Sequence, residues 1–176
     1  NNGYQSYGFA VSDDLYNWTF EGYVMRTVST REQLDTDPYF MELYADYTPE
    51  QKDRVFLCIN DSTSVVERPK VIYNERTQKY VLWFHADGPT EYSSANYAAA
   101  CAGVAVSDSP TGPFRFIDRY RLNVAPEDQL RGEWYEASKG FARDMNLFVD
   151  DDGTGYIIYS SEENMTMFIS KLNYEY

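Results

Sequence analysis

The sequence predicts an all-β chain of repeated antiparallel sheets, the arrangement of a β-propeller. Three observations carry that expectation. The phrase YGFAVSDDLYNWTFEG over 7–22 returns as AGVAVSDSPTGPFRFID over 102–118, sharing an alternating strand, a Ser-Asp turn and an aromatic exit. A second phrase, PKVIYNERTQKYVLWFHADG over 69–88, returns as MNLFVDDDGTGYIIYSSEEN over 145–164, and both read strand, tight polar turn, strand. Each of these hairpins is followed by a further apolar strand, over 101–107 and 166–172. A β-sandwich also alternates, but it does not require phrases to recur in the same order.

Taken in order, residues 1–24 read as the last strands of one blade. Residues 27–56 break the pattern and read as polar and partly helical, with Thr48-Pro49-Glu50 as a helix start. This stretch is expected to be an insertion that shapes one rim of a pocket, covers a sheet edge, or does both. Residues 65–120 read as a full blade, and 121–143 as a second irregular connection leading to Asp144. Residues 144–176 read as most of the next blade, so about two and a half blades are present. Propellers close with four to eight, and an open stack leaves apolar faces uncovered, so the chain is expected to be part of a longer polypeptide.

Composition narrows the function. With 176 residues and 43% hydrophobic content the chain has the material for one domain core, and the 17% aromatic share leaves rings over for contact with ligand. Lys and Arg total 15 against 28 Asp and Glu, a formal net charge of −13 that repels nucleic acid and anionic membrane surfaces. No apolar run reaches the roughly 18 residues that would span a bilayer, and no signal peptide is visible. Cys58 and Cys101 could pair or stay free, with free buried thiols the preferred expectation, and their spacing fits no zinc pattern. A single histidine, His85, excludes a His-based metal cluster. Sequons at Asn17, Asn60 and Asn164 are read as chance occurrences.

Two acids stand just ahead of apolar strands. Glu67 opens the hairpin in VVERPKVIYN, and Asp144 is read as holding the matching place in ARDMNLFVDDDGTG. The first strand of a propeller blade lines the central axis, so acids there can converge on one pocket. A salt bridge of Glu67 with Arg68 or Lys70 is the competing reading. Asp150, Asp151, Asp152 and Gly153 read as a hairpin turn, and calcium ligation would need an alternating set that is absent. Glycoside hydrolysis needs carboxyl groups on both sides of the scissile bond, roughly 6.5 to 9.5 Å apart in inverting enzymes, and a third acid can raise the pKa of the proton donor.

Three phrases, VERPKVIYN…KYVLWFHADG, NYAAACAGVAVSDSPTGPF and RDMNLFVDDDGTGYIIYSSEEN, together resemble consecutive motifs of the exo-β-1,3-galactanase-like branch of glycoside hydrolase family 43. The resemblance covers most of 65–176 and more weakly 7–22. It implies a five-bladed propeller and an exo-acting glycosidase that cleaves β-1,3-galactan, such as the arabinogalactan backbone, with inversion. Carried over residue by residue, Asp144 matches the family's pKa-modulating, orienting aspartate, and Glu67 a glutamate that contacts the terminal sugar. Tyr97 matches an aromatic residue of the sugar site, Asn164 is a weaker sugar-contact candidate, and His85 is either axial or a structural histidine. The family's general acid is a glutamate in a phrase like Arg-Glu-Ala-Pro, which does not occur here, and its usual first-blade aspartate base is expected to precede Asn1, the galactanase-like branch using a side-chain amide of a later blade in its place. The general acid is therefore not in this chain. The resemblance implies no cofactor; a structural calcium occurs in the family, but no ligand set for it can be named. It also implies a polysaccharide or oligosaccharide partner and a secreted or periplasmic location. Arabinofuranosidase or xylosidase specificity within the family, and a noncatalytic carbohydrate-binding propeller outside the enzyme class, are the alternatives.

Overall fold

A computed structural model describes residues 6–123 and 139–175. Of the connection read over 121–143, residues 124–138 lie outside the described residues, as do residues 1–5 at the start of the first strand segment. The chain is mostly β, in antiparallel sheets of two, four and three strands in sequence order. The first pairs β1 (Ser6–Val11) with β2 (Thr19–Arg26). The second runs β3 (Val65–Asn74), β4 (Lys79–Asp87), β5 (Cys101–Ser107) and β6 (Arg115–Tyr120) side by side. The third runs β7 (Arg143–Val149), β8 (Gly155–Ser161) and β9 (Thr166–Lys171).

Strand β4 organises the packing, because successive side chains leave opposite faces. Leu82, Phe84 and Ala86 join a core cluster with Val24 and Met25 of β2, whereas Val81 and Trp83 join a second cluster with Met145, Ile157 and Tyr159 of the third sheet. The middle sheet is therefore covered on both faces. Gly103, opposite Phe84 in the register, leaves room for that ring: a Cβ there would lie 2.5 Å from Phe84 Cζ.

Residues 27–59 form α1 (Gln33–Thr36), α2 (Pro38–Leu43) and α3 (Pro49–Ile59). Thr48 caps α3, accepting from Gln51 N while the Gln51 side chain accepts from Thr48 N, a capping box that satisfies two otherwise unpaired amides. The helices contribute to the core, since Leu34, Phe40, Tyr44, Val55 and Ile59 are all buried in the first cluster. They close over β6: Tyr47 donates to Phe116 O, Phe116 N donates to the Tyr44 hydroxyl, and Arg54 pairs with Asp118 at 2.8 Å. Of the two roles expected for this stretch, these contacts serve the covering of a sheet edge. Cys58 and Cys101 are free and buried, and burial pushes the Cys58 thiol up to about 11.

Candidate functional site

The site is built around two β-bulges. In β3 the register steps from Glu67 opposite His85 to Lys70 opposite Trp83, so that Arg68 and Pro69 face the single residue Phe84. In β7 it steps from Arg143 opposite Ser160 to Asn146 opposite Ile158, so that Asp144 and Met145 face Tyr159. The first extra residue in each bulge is left-handed, Arg68 at φ 56° and Asp144 at φ 40°. Such a backbone costs a non-glycine residue on the order of 1 kcal/mol and is held only where its surroundings fix it.

This register corrects one expectation. The counterpart of Asp144 is Arg68, and the counterpart of Glu67 is Arg143. The two acids are one residue out of step because the shared feature is the bulge rather than the carboxylate. The offset brings opposite charges together, with Arg68 Nε 2.9 Å from Asp144 Oδ1 across the junction of the two sheets. Both side chains are well exposed, so the pair itself is worth about 1 kcal/mol or less.

Glu67, Tyr97 and His85 meet directly. The Tyr97 hydroxyl donates to Glu67 Oε1 at 3.0 Å, and the Tyr97 and His85 rings lie 5.9 Å apart. His85 Nδ1 is 3.6 Å from Glu67 Oε2, just beyond hydrogen-bonding reach, while Nε2 donates to Asp87 Oδ2 at 2.9 Å. Asp87 also accepts from the amides of Gly88 and Ala100. Burial alone would raise its carboxyl, but the donations from His85, Ala100 and Gly88 outweigh it and leave the group below the usual carboxylate range. Beside Glu67 opens a cavity of about 440 Å³ lined by Tyr7, Val66, Glu67, Arg68 and Pro69, a size suited to a small ligand. Tyr7 donates to Glu67 O at 3.2 Å, and burial, then the Glu67 charge, push its phenol well above the usual value. A larger groove of about 610 Å³ lies among the β3–β4 and β7–β8 hairpin turns and contains none of the five candidate residues.

Asp144 and Asn164 join this group through arginines. Asp144 is held by Arg68, the neighbour of Glu67. Asn164 sits in the β8–β9 turn with Glu162 and Glu163, all three left-handed, and accepts from the Ser160 hydroxyl at 2.7 Å. Arg143 ties the turn to the rest: it donates to Glu163 Oε2 at 3.0 Å and to Tyr97 O at 2.7 Å, its Nε is 3.9 Å from Asp87 Oδ2, and its guanidinium lies over the Phe141 ring. Sequence reasoning missed Arg143 and Asp87, and considered Arg68 only as a partner of Glu67 whereas it pairs with Asp144. Asp87 carried a signal, since it is two residues from His85 in HADG and shares its side of the strand. Arg143 carried none, because its partners are remote in sequence.

Among the described residues no group of three or more His, Cys, Asp or Glu side chains is placed to hold a metal ion, and no helix is long and apolar enough to cross a membrane. The site can offer a pocketed carboxylate, a phenol and a second carboxylate set by an arginine, the kinds of group that bind hydroxyls and ring faces of a sugar.

No family model and no curated protein matches the chain. Solved structures do. An exo-β-1,3-galactanase from Phanerochaete chrysosporium, crystallised with galactose, matches with a TM-score of 0.64 and 27% identity over 98% of this chain and 30% of its own. A family 43 β-1,3-galactosidase with galactodeoxynojirimycin matches with a TM-score of 0.67 and 33% identity over 96% of this chain and 50% of its own. An exo-β-1,3-galactanase from Clostridium thermocellum matches with a TM-score of 0.61 and 29% identity over 96% of this chain and 29% of its own. The chain thus spans half or less of the length of each. In fold and in sequence it is similar to two exo-β-1,3-galactanases and a family 43 β-1,3-galactosidase over nearly all of its own length.

Proposed function

We propose that this chain supplies part of the sugar site of an exo-acting glycoside hydrolase that releases galactose from β-1,3-galactan with inversion. The observation that carries the reading is the convergence of Glu67, Tyr97, His85 and, through Arg68, Asp144 at the bulged ends of two neighbouring sheets. It is supported by the structures that share this fold at 27% to 33% identity, which are β-1,3-galactanases and a β-1,3-galactosidase. In this reading the sheets are successive blades of a five-bladed propeller: the end of one over 1–24, a full one over 65–120 and most of the next over 144–176. The helical segment over 27–56 is an insertion between blades.

Glu67 accepts hydrogen bonds from the hydroxyls of the terminal sugar, Tyr97 packs its ring against the pyranose, and Asn164 reaches the sugar from the β8–β9 turn. His85, anchored by Asp87, lies beside Glu67 and Tyr97 and lines the sugar site with them. Asp144 stands by the proton donor, raising its pKa by like-charge repulsion and orienting it. That donor is a glutamate carried by a strand outside the sheets described. No cofactor takes part, and the polymeric substrate places the work in a secreted or periplasmic setting.

The test is galactose release from β-1,3-galactan by the polypeptide as its gene encodes it. Asp144→Asn is expected to lower kcat by at least about 100-fold, and Tyr97→Phe to raise KM with a smaller change in kcat. A polypeptide that binds galactan but releases nothing from galactan, arabinan or xylan is instead the noncatalytic binding propeller. Release of arabinose or xylose and not galactose moves the specificity within the family.

A further inference from the structure

Residues 97–100, between β4 and β5, belong to no strand, so the carbonyls of the segment that carries Tyr97 need partners from elsewhere. Four in succession find them in remote parts of the chain. Tyr97 O accepts from Arg143 at 2.7 Å, Ala98 O from Arg121 at 3.4 Å, Ala99 O from Arg121 Nε at 3.2 Å and Ala100 O from Ala142 N at 2.9 Å. The two guanidinium groups share one ring, lying 4.4 and 4.8 Å from the centroid of the buried Phe141. A planar cation spreads its donors in a fork and stacks on an aromatic face, and a lysine does neither so well. Arg121 follows β6 and Arg143 opens β7, so the segment is gripped from the middle sheet and from the third sheet at once. The grip also holds Ala100 in its left-handed backbone, at φ 48°, where the chain turns into β5.

Tyr97 itself is 46% exposed, so packing covers little more than half of it, and the place of its phenol on Glu67 depends on where its backbone is held. Arg143 reaches the other side of the site as well, donating to Glu163, the neighbour of Asn164 in the β8–β9 turn. With its side chain only 12% exposed, its charge-assisted bonds are stronger than they would be in water. One arginine thus sets the spacing between the Tyr97 side and the Asn164 side.

We infer that Arg121 and Arg143 are positioning residues of the sugar site: together they clamp the 97–99 backbone, and Arg143 fixes it to the β8–β9 turn. Affinity for the sugar then depends on two side chains that act through Tyr97 and Asn164. The inference rests on the sugar site proposed above.

Binding of β-1,3-galactotriose and hydrogen exchange, both in the polypeptide as its gene encodes it, test the clamp. Arg121 is exposed, so Arg121→Met leaves the core intact, and Arg143→Lys keeps the buried charge while losing the fork. Each is expected to raise the Kd about three- to tenfold, the size of a lost charge-assisted hydrogen bond. In a Tyr97→Ala background Arg121→Met is expected to change the Kd less than about 1.5-fold, because the residue through which it acts is gone. The Ala99 and Ala100 amides, which donate to Gly88 O and Asp87, are expected to exchange about tenfold faster in Arg121→Met while those of β4 keep their rate. An unchanged Kd in either variant overturns the inference. So does an equal rise in Kd with and without the Tyr97 side chain, or β4 amides that speed up in step with the loop, which is the mark of a merely structural role. An unsubstituted polypeptide that binds no galactotriose counts against the sugar site instead, and the exchange of Ala99 and Ala100 then decides the clamp by itself.

Discussion

Asp87 accepts from an imidazole and two amides and has no exposed side-chain surface, so it is the fixed point from which His85 and the 88–100 loop are hung. Its lowered carboxyl pKa sets the sign of a pH effect. In the unfolded chain the group takes up its proton near the ordinary value of about 4, before the folded chain does, so the unfolded state binds more protons in that window. Stability from Asp87 is therefore present above about pH 4 and is lost as pH falls through the lower, folded value. Asp87→Asn is expected to lower Tm near neutral pH and to flatten its fall on acidification. Thermal unfolding of both proteins from about pH 6 to about pH 3 checks this, and parallel curves would place the acid sensitivity elsewhere.

At the scale of elements, the capping box of α3 is separable from the site and gives a clean measurement. Thr48→Ala is expected to cost about 1 kcal/mol, seen as a lower urea midpoint at unchanged m-value. On the proposed function galactan activity should not change, because the helices contact β6 and the core rather than Glu67 or Asp144. The start of this helix was legible in Thr48-Pro49-Glu50, and the hairpins over 69–88 and 145–164 were legible in their alternation. The bulges were not. Arg68 precedes Pro69, a position that ordinarily keeps to extended backbone, so local preference argues against the φ of 56° it adopts. The one-residue offset between Glu67 and Asp144 follows from that bulge and was hidden with it. The helical stretch read as polar because charged residues are interspersed among its apolar ones along its whole length. One face of α3 nevertheless reaches the core through Val55, Cys58 and Ile59, at helical spacing and buried.

Across the whole molecule, Glu67, His85 and Tyr97 could be picked from their phrases, but the arginines that join them to Asp144 and Asn164 act between sheets, and no spacing within a phrase encodes them. The middle sheet gives these contacts their frame. Strand β4 is paired along both edges and covered on both faces, and it ends in His85 and Asp87. Its amides can meet solvent only when most of the chain opens, so they should exchange hydrogen for deuterium more slowly than any others described, at a rate that reports global unfolding. The 88–100 loop with Tyr97 and the turn with Asn164 have fewer backbone bonds and should exchange early. On the proposed function a galactose-bearing ligand would then slow exchange in those two segments and leave β4 unchanged: one wall of the pocket would be set before the sugar arrives, and the entropic cost of binding would fall on the other.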